Sequence, residues 1–318
     1  LAKRAHVEKT VGPWAKQKLD ALENYLSAYM KVMKNQPFKL FYIDAFAGAG
    51  VVRVRDSAGP SSSRDDQSLF TVEVSEQDRE QVAEYITGSP LRALSLQRKF
   101  DHYRFVDLDP HRVADLRTLA AEYGDCEVRV IEGEANDRVQ FIASHFDNRL
   151  WRGVAFLDPY GAHLHWKTLE ALARTRKFDV IINFPLGMTI NRLIKRDEDI
   201  PPVWQKQLDL CFGSSDWREL AFETRTGLFG DLRAKRPDAA DRLLAYYVDR
   251  LEAIFGNVSQ PSLVKNTQGS PLYYLIWAGA RATGKPIADH ILGLGDKVRV
   301  RTSRREQSID EGGARSKR

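Results

Sequence analysis

Four short segments set carboxylates beside glycine or proline, the residue types that a nucleotide-like ligand and a polar acceptor need. They are Asp44-Ala45-Phe46-Ala47-Gly48-Ala49-Gly50, Asp107-Leu108-Asp109-Pro110, Glu132-Gly133-Glu134-Ala135 and Asp158-Pro159-Tyr160-Gly161. Glycines let the backbone approach a ligand that a Cβ would block. A carboxylate at the second segment can accept both hydroxyls of a ribose. Strand alternation puts Asp107 and Asp109 on the same side, and Asp107 is favoured. A carboxylate in the third segment could accept from the exocyclic amine of an adenine. In the fourth, Asp158 would face the Gly48 loop across a crevice, with Tyr160 offering a flat face to a base. Any one of these acids alone reads more readily as a helix cap or a solvated loop residue. Together they outline a site for a nucleotide and a base.

These segments need a scaffold that brings them to one edge, and the hydrophobic pattern supplies it. Residues 14–34 carry Trp14, Leu19, Leu22, Leu26, Tyr29, Met30 and Met33 at three- and four-residue steps, the period of an amphipathic helix ended by Pro37. The run 38–46 reads as a buried strand meeting the first glycines. Residues 55–68 are rich in Ser, Asp and Gly and read as a loop within an insertion. From Leu91 helix-like and strand-like stretches alternate: LRALSLQRKF, YRFVDLD, HRVADLRTLAAEYG, EVRVIEG, NDRVQFIASHF, GVAFLDPYG, HWKTLEALARTRK and DVIINFPLG. That alternation predicts a parallel sheet covered on both faces, with ligands beyond the carboxyl ends of its strands. Residues 190–250 read as helix-leaning and polar, covering one side of the sheet. VSQPSLVKNT and PLYYLIWAGAR, separated by Gln268-Gly269-Ser270, predict an antiparallel pair at the end of the sheet.

Other chemistries lose their motifs. Arg53 stands where a dinucleotide fingerprint needs its third glycine, and neither a Walker A nor a GxSxG sequence is present. Cys126 and Cys211 are too few for a four-cysteine zinc or iron–sulfur site or a disulfide framework, so a reducing compartment is expected. His163 and His165 suggest a metal pair, but no strong third ligand lies nearby, so no metal is expected. The longest apolar run, Tyr273–Ala280, is far short of a membrane span. The first ten residues, LAKRAHVEKT, lack the apolar core of a secretory signal, and a cytoplasmic location is expected.

The motifs DAFAGAG, VDLDP, EGEA and LDPYG, in this order, resemble those of Rossmann-like S-adenosylmethionine (SAM)-dependent methyltransferases, in particular those acting on amines of nucleic-acid bases. A closer resemblance, from Trp14 to Leu292, is to the three-Cys-motif partner protein (TcmP) family, through YIDAFAGAG, GSPLRAL, FLDPYGAHLHWKTLEALARTRKFDVIINFPLG, CFGSSDW and PLYYLIWAGARATGKPIADHIL. This resemblance implies an α/β fold: a Rossmann-like methyltransferase sheet, mostly parallel with an antiparallel last strand, and added helical segments. It implies SAM as cofactor, with Asp44, Phe46, Gly48 and Gly50 around its methionine portion. Asp107 would hold the ribose, Glu134 and Ala135 the adenine, and Asp158, Pro159 and Tyr160 the acceptor. It also implies a separate three-Cys-motif, radical-SAM-like partner, and so the alternative of a catalytically silent SAM-binding scaffold. The acceptor motif departs from the [D/N/S]PP[Y/F] pattern of the base-amine enzymes: one proline is missing, and Tyr160 comes one place early.

The expected organisation is an N-terminal helical segment over 1–37, a methyltransferase domain over 38–294 with insertions near 51–90 and 195–236, and a basic, disordered tail over 295–318. The chain of 318 residues carries 48 Lys and Arg against 43 Asp and Glu, with the excess at both ends. Residues 1–40 hold eight basic side chains against three acidic ones, and the stretch from Asp296 holds eight against four. Basic flanks on an acidic centre suit a polyanion such as nucleic acid near the termini.

Overall fold

Strand β1 (Lys39–Asp44) is apolar and buried at nearly every position, as a strand with both faces covered must be. The computed structural model describes residues 13–48, 88–146, 149–195, 199–227, 230–266, 268–294 and 296–297. The expected loop over 55–68, the insertion near 51–90 up to residue 87, Gly50, and the basic tail beyond Lys297 lie outside the described residues.

Strand β1 pairs in parallel with β2 (His102–Asp107) on one side and β4 (Trp151–Leu157) on the other. Strand β3 (Glu127–Glu132) continues beyond β2, and β5 (Phe178–Phe184) beyond β4. Chain order thus reverses between β1 and β4, which opens the crevice there. Next to β5 lies β10 (Pro271–Gly279), antiparallel, then β9 (Ser262–Lys265) and β11 (Asp296–Lys297) at the edge, with the short β8 (Asn257–Val258) against the end of β10. The fold is α/β, with a mostly parallel, Rossmann-like mixed sheet.

Two apolar layers cover it. Helix α1 (Pro13–Val32) lays Leu19, Leu22, Leu26 and Met30 on one face, against Tyr42, Leu275 and Trp277. The opposite face is covered by α4 (Ala135–Ser144), α5 (Trp166–Thr175) and α8 (Ala239–Phe255), whose Val139, Leu172 and Tyr247 join one core with Phe41, Leu157 and Ile182. Trp166, an apolar anchor for α5, is buried against Tyr247. Among the described residues, no helix is long and apolar enough to cross a membrane.

Two readings of the sequence change and one holds. The stretch 91–100 is helical only to the end of α2 (Ser89–Leu94) and then turns toward β2. The expected antiparallel pair forms at the end of the sheet, β10 between β5 and β9 with only the two-residue β11 beyond, and its turn is tied by Asn266 Oδ1 accepting the N–H groups of Gln268 (3.0 Å) and Ser270 (2.8 Å). The unbroken apolar run of β10 is buried on both faces there. Within 190–250, α6 (Pro202–Phe212) and α7 (Trp217–Ala221) are followed by a hairpin, β6 (Phe222–Gly227) and β7 (Gly230–Lys235). Polar composition hides its period of two. Ionic contacts stand in for apolar ones: Glu223 pairs with Arg225 along β6 (2.8 Å) and with Arg236, just after β7, across the hairpin (3.1 Å).

Candidate active site

At the carboxyl end of β1 the chain turns through Ala45–Gly48 and meets the end of β2. Ala47 N donates to Val106 O (2.9 Å), and Gly48 N donates to Asp107 Oδ2 (2.8 Å). Gly48 has φ 66°, where a Cβ would be strained, so the turn requires glycine. Asp107 Oδ1 accepts from Asp109 N (2.8 Å). Asp109 instead caps α3 (Pro110–Ala120), accepting from His111 N (2.8 Å). The geometry thus separates the two acids: Asp107 braces the glycine turn, and Asp109 serves the helix. Phe46 is half-buried against the α4–α5 core.

Asp44 is fully buried. Its Oδ2 accepts from Tyr42 Oη (3.3 Å), and its Oδ1 has no hydrogen-bond partner among the described residues. Burial pushes its pKa up to about 7, against the side-chain hydrogen bonds of Ser89 and Tyr42.

Glu134 is the N-cap of α4, with Oε2 accepting from Asp137 N (2.9 Å) and Oε1 from Asn136 Nδ2 (2.7 Å). Both oxygens are occupied by the cap, and each keeps a second lone pair. Ala135 is buried behind it. Asn136, which the sequence reading passed over, is buried and joins this corner to the loop after β4. Its Oδ1 accepts from His165 N (2.8 Å) and Thr168 Oγ1 (2.9 Å), and its Nδ2 donates to His163 O (2.9 Å). The pKa values of His163 and His165 are lowered, mainly by burial, which keeps both imidazoles neutral.

Asp158, at the end of β4, is 3% exposed. Its Oδ1 accepts from Lys18 Nζ (2.8 Å) and Asn183 Nδ2 (2.7 Å). Lys18 comes from α1, its side chain fully buried, with Nζ 4.5 Å from the centre of the Tyr273 ring. Burial lowers the pKa of Lys18 to about 7 and raises that of Asp158, while their pairing opposes both shifts. Pro159 is buried, and Tyr160 beyond it is 42% exposed at the rim.

Sequence reasoning counted Lys18 only among the basic flank residues and gave Asn183 no role. A signal for Lys18 exists: the steps 18, 22, 26 and 30 place a lysine in the buried stripe of α1, where a charge needs a partner. Asn183 ends a strand beside another strand-end acid, visible only once β4 and β5 are known to be neighbours.

No protein-family profile matches the sequence, and no curated protein does. Several solved structures are similar to the chain. Trm1 from Pyrococcus horikoshii, in complex with SAM, is similar at 8% identity and a TM-score of 0.39, over 86% of this chain and 58% of that one. The CurJ carbon methyltransferase is similar at 13% identity and a TM-score of 0.35, over 83% and 55%. Protein LPL1258 from Legionella pneumophila is similar at 14% identity and a TM-score of 0.35, over 83% and 97%.

Proposed function

We propose that the chain binds SAM in the crevice between β1 and β4 and transfers its methyl group to an amine of a nucleic-acid base or nucleotide-derived substrate. One observation carries the reading: the Gly48 turn hydrogen-bonded to Asp107 at the point where strand order reverses. The orphaned Oδ1 of Asp44 fits the group, since it leaves an oxygen that becomes anionic as pH rises through about 7 for a ligand that carries positive charge.

When bound, the cofactor supplies a methyl group on a sulfonium. The chain's part is to place an acceptor in line with it. Asp107 accepts the ribose hydroxyls, and Ala135 with the remaining lone pairs of Glu134 meets the adenine. Asp158 and the Pro159 carbonyl accept the N–H groups of the acceptor amine, keeping its lone pair directed at the methyl, while the exposed Tyr160 ring stacks on the base. Asn183 fixes the rotamer of Asp158.

A second reading is favoured by one observation. Asp158 Oδ1 already takes two donors, Lys18 and Asn183, which suits a SAM-binding scaffold for a three-Cys-motif, radical-SAM-like partner. Titration calorimetry with SAM and its demethylated product, followed by transfer of labelled methyl to DNA, RNA and nucleosides, separates the two. The enzyme reading requires binding and label incorporation. Binding without incorporation selects the scaffold, and absence of binding overturns both.

A further inference from the structure

The parallel strands begin, and the antiparallel β10 ends, at the edge of the sheet opposite Gly48. A cavity of about 360 Å³ opens there, within the size range of small-molecule sites. Three guanidiniums line it from three parts of the chain: Arg152 at the start of β4, Arg176 in the turn before β5, and Arg281 just after β10. Arg152 Nη1 donates to the carbonyls of Arg149 (3.0 Å) and Trp151 (2.6 Å), and its group lies over the Phe38 ring at 4.1 Å. Its Nε is buried with no partner among the described residues. Among the same residues, the guanidiniums of Arg176 and Arg281 make no ion pair or hydrogen bond. Arg281 is near enough to Arg152 to help hold its pKa below the usual arginine range, after burial.

The cations outnumber the acids on this wall. Asp179 is its carboxylate; Oδ2 of Asp179 is taken by Tyr25 Oη (2.9 Å), and the charge of Arg281 acts on it without a direct ion pair. Lys177 also borders the cavity, but its Nζ turns away to Phe146 O (2.8 Å). The first residues of helix α9 (Gly284–Ile291) add the positive end of a helix dipole. Guanidinium forks match the oxygens of a phosphate, and the surplus of two positive charges matches a dianion better than a carboxylate. Tyr29, Met33, Phe38 and Ile287 give the rest of the wall an apolar surface.

We propose that this cavity is a second binding site, for a phosphate monoester carried on a flat or apolar body, of which a mononucleotide is the simplest form. Arg152, Arg176 and Arg281 hold the phosphate, and the apolar wall holds the body. The site is independent of whether the β1–β4 crevice binds SAM.

Calorimetric titration of the full chain with uridine 5′-monophosphate, uridine and inorganic phosphate tests it. The monophosphate is expected to bind at least tenfold more tightly than either fragment. Arg176→Gln and Arg281→Ala, at two exposed positions, should each weaken it at least tenfold, while Asp107→Ala and saturating SAM leave it unchanged. A 5′-phosphorylated oligouridylate binding more tightly than the mononucleotide assigns the phosphate to a nucleic-acid end; equal or weaker binding assigns it to a free nucleotide. The proposal is overturned if uridine binds as well as its monophosphate, if the arginine variants bind unchanged, if SAM competes, or if nothing binds at millimolar concentration.

Discussion

Asp107 and Asp158 both end parallel strands at the same edge of the sheet, and both are buried, yet they are held in opposite ways. Backbone amides hold Asp107, from Asp109 two residues on and from the Gly48 turn. Two side chains hold Asp158, Lys18 from 140 residues away and Asn183 from 25. An amide donor is neutral and fixed by the turn that presents it, so the proposed cofactor half is set once the fold forms. A buried lysine changes charge with its surroundings, so the proposed acceptor half depends on the ionisation of Lys18 on a distant helix.

The sharpest way to break this contrast is Lys18→Met. Removing one member of a buried ion pair leaves the other charge uncompensated, at about 3–5 kcal/mol. The variant should lose stability of that order in chemical denaturation, and the double variant Lys18→Met/Asp158→Asn should recover most of it. A neutral Lys18→Met would mean that the pair contributes nothing and that the two halves are alike.

Next in size is the effect of Asp158 on turnover. The proposed role as a hydrogen-bond acceptor needs an oxygen and not a charge, so Asp158→Asn should retain measurable methyl transfer. Asp158→Ala should lose roughly 100-fold, about 2.7 kcal/mol of transition-state stabilisation, with SAM binding intact. Asn and Ala variants equally inactive would replace the acceptor role by one needing the carboxylate itself. On the cofactor side, Asp107→Ala should weaken SAM binding by about 1–3 kcal/mol, since ribose hydroxyls and the Gly48 amide both lose their acceptor. Unchanged affinity in a folded variant would move the ribose to Asp109.

The same contrast explains what could be read in advance. The strands, their parallel order and the strand-end acids follow from alternating apolar runs, and the competing cap role is visible locally for Asp109 and Glu134, each just before a helix. The buried stripe of α1 marks Lys18 as needing a partner but does not say which, and Asn183 lies near nothing diagnostic; α1 and β5 reach Asp158 only through the packing of a helix on one face and the pairing of β5 beside β4. The β6–β7 hairpin escaped because its alternation is of charged and polar residues. Arg152, Arg176 and Arg281 are scattered over 130 residues and meet only because β10 runs antiparallel to its neighbours.

The smallest effect, and the one that tests the contrast within a single site, is pH dependence. Asp44 in the folded chain keeps a proton up to about pH 7 that the unfolded chain gives up near 3.8. Its contribution to stability is therefore fully present below about pH 4 and lost as pH rises through 7. Lys18, with a folded pKa of about 7 against 10.5, has the opposite sign above that point: the folded chain binds fewer protons there, and stability rises with pH toward 10.5. A cationic cofactor prefers ionised Asp44, so SAM affinity should rise about tenfold between pH 6 and 8, the ionisation change of one group with a pKa near 7. Asp44→Asn should flatten that rise and Lys18→Met should leave it, as calorimetry across the range would show. The reverse result, a slope that survives Asp44→Asn and vanishes in Lys18→Met, would put the pH-sensitive charge in the acceptor half and leave Asp44 a spectator to binding.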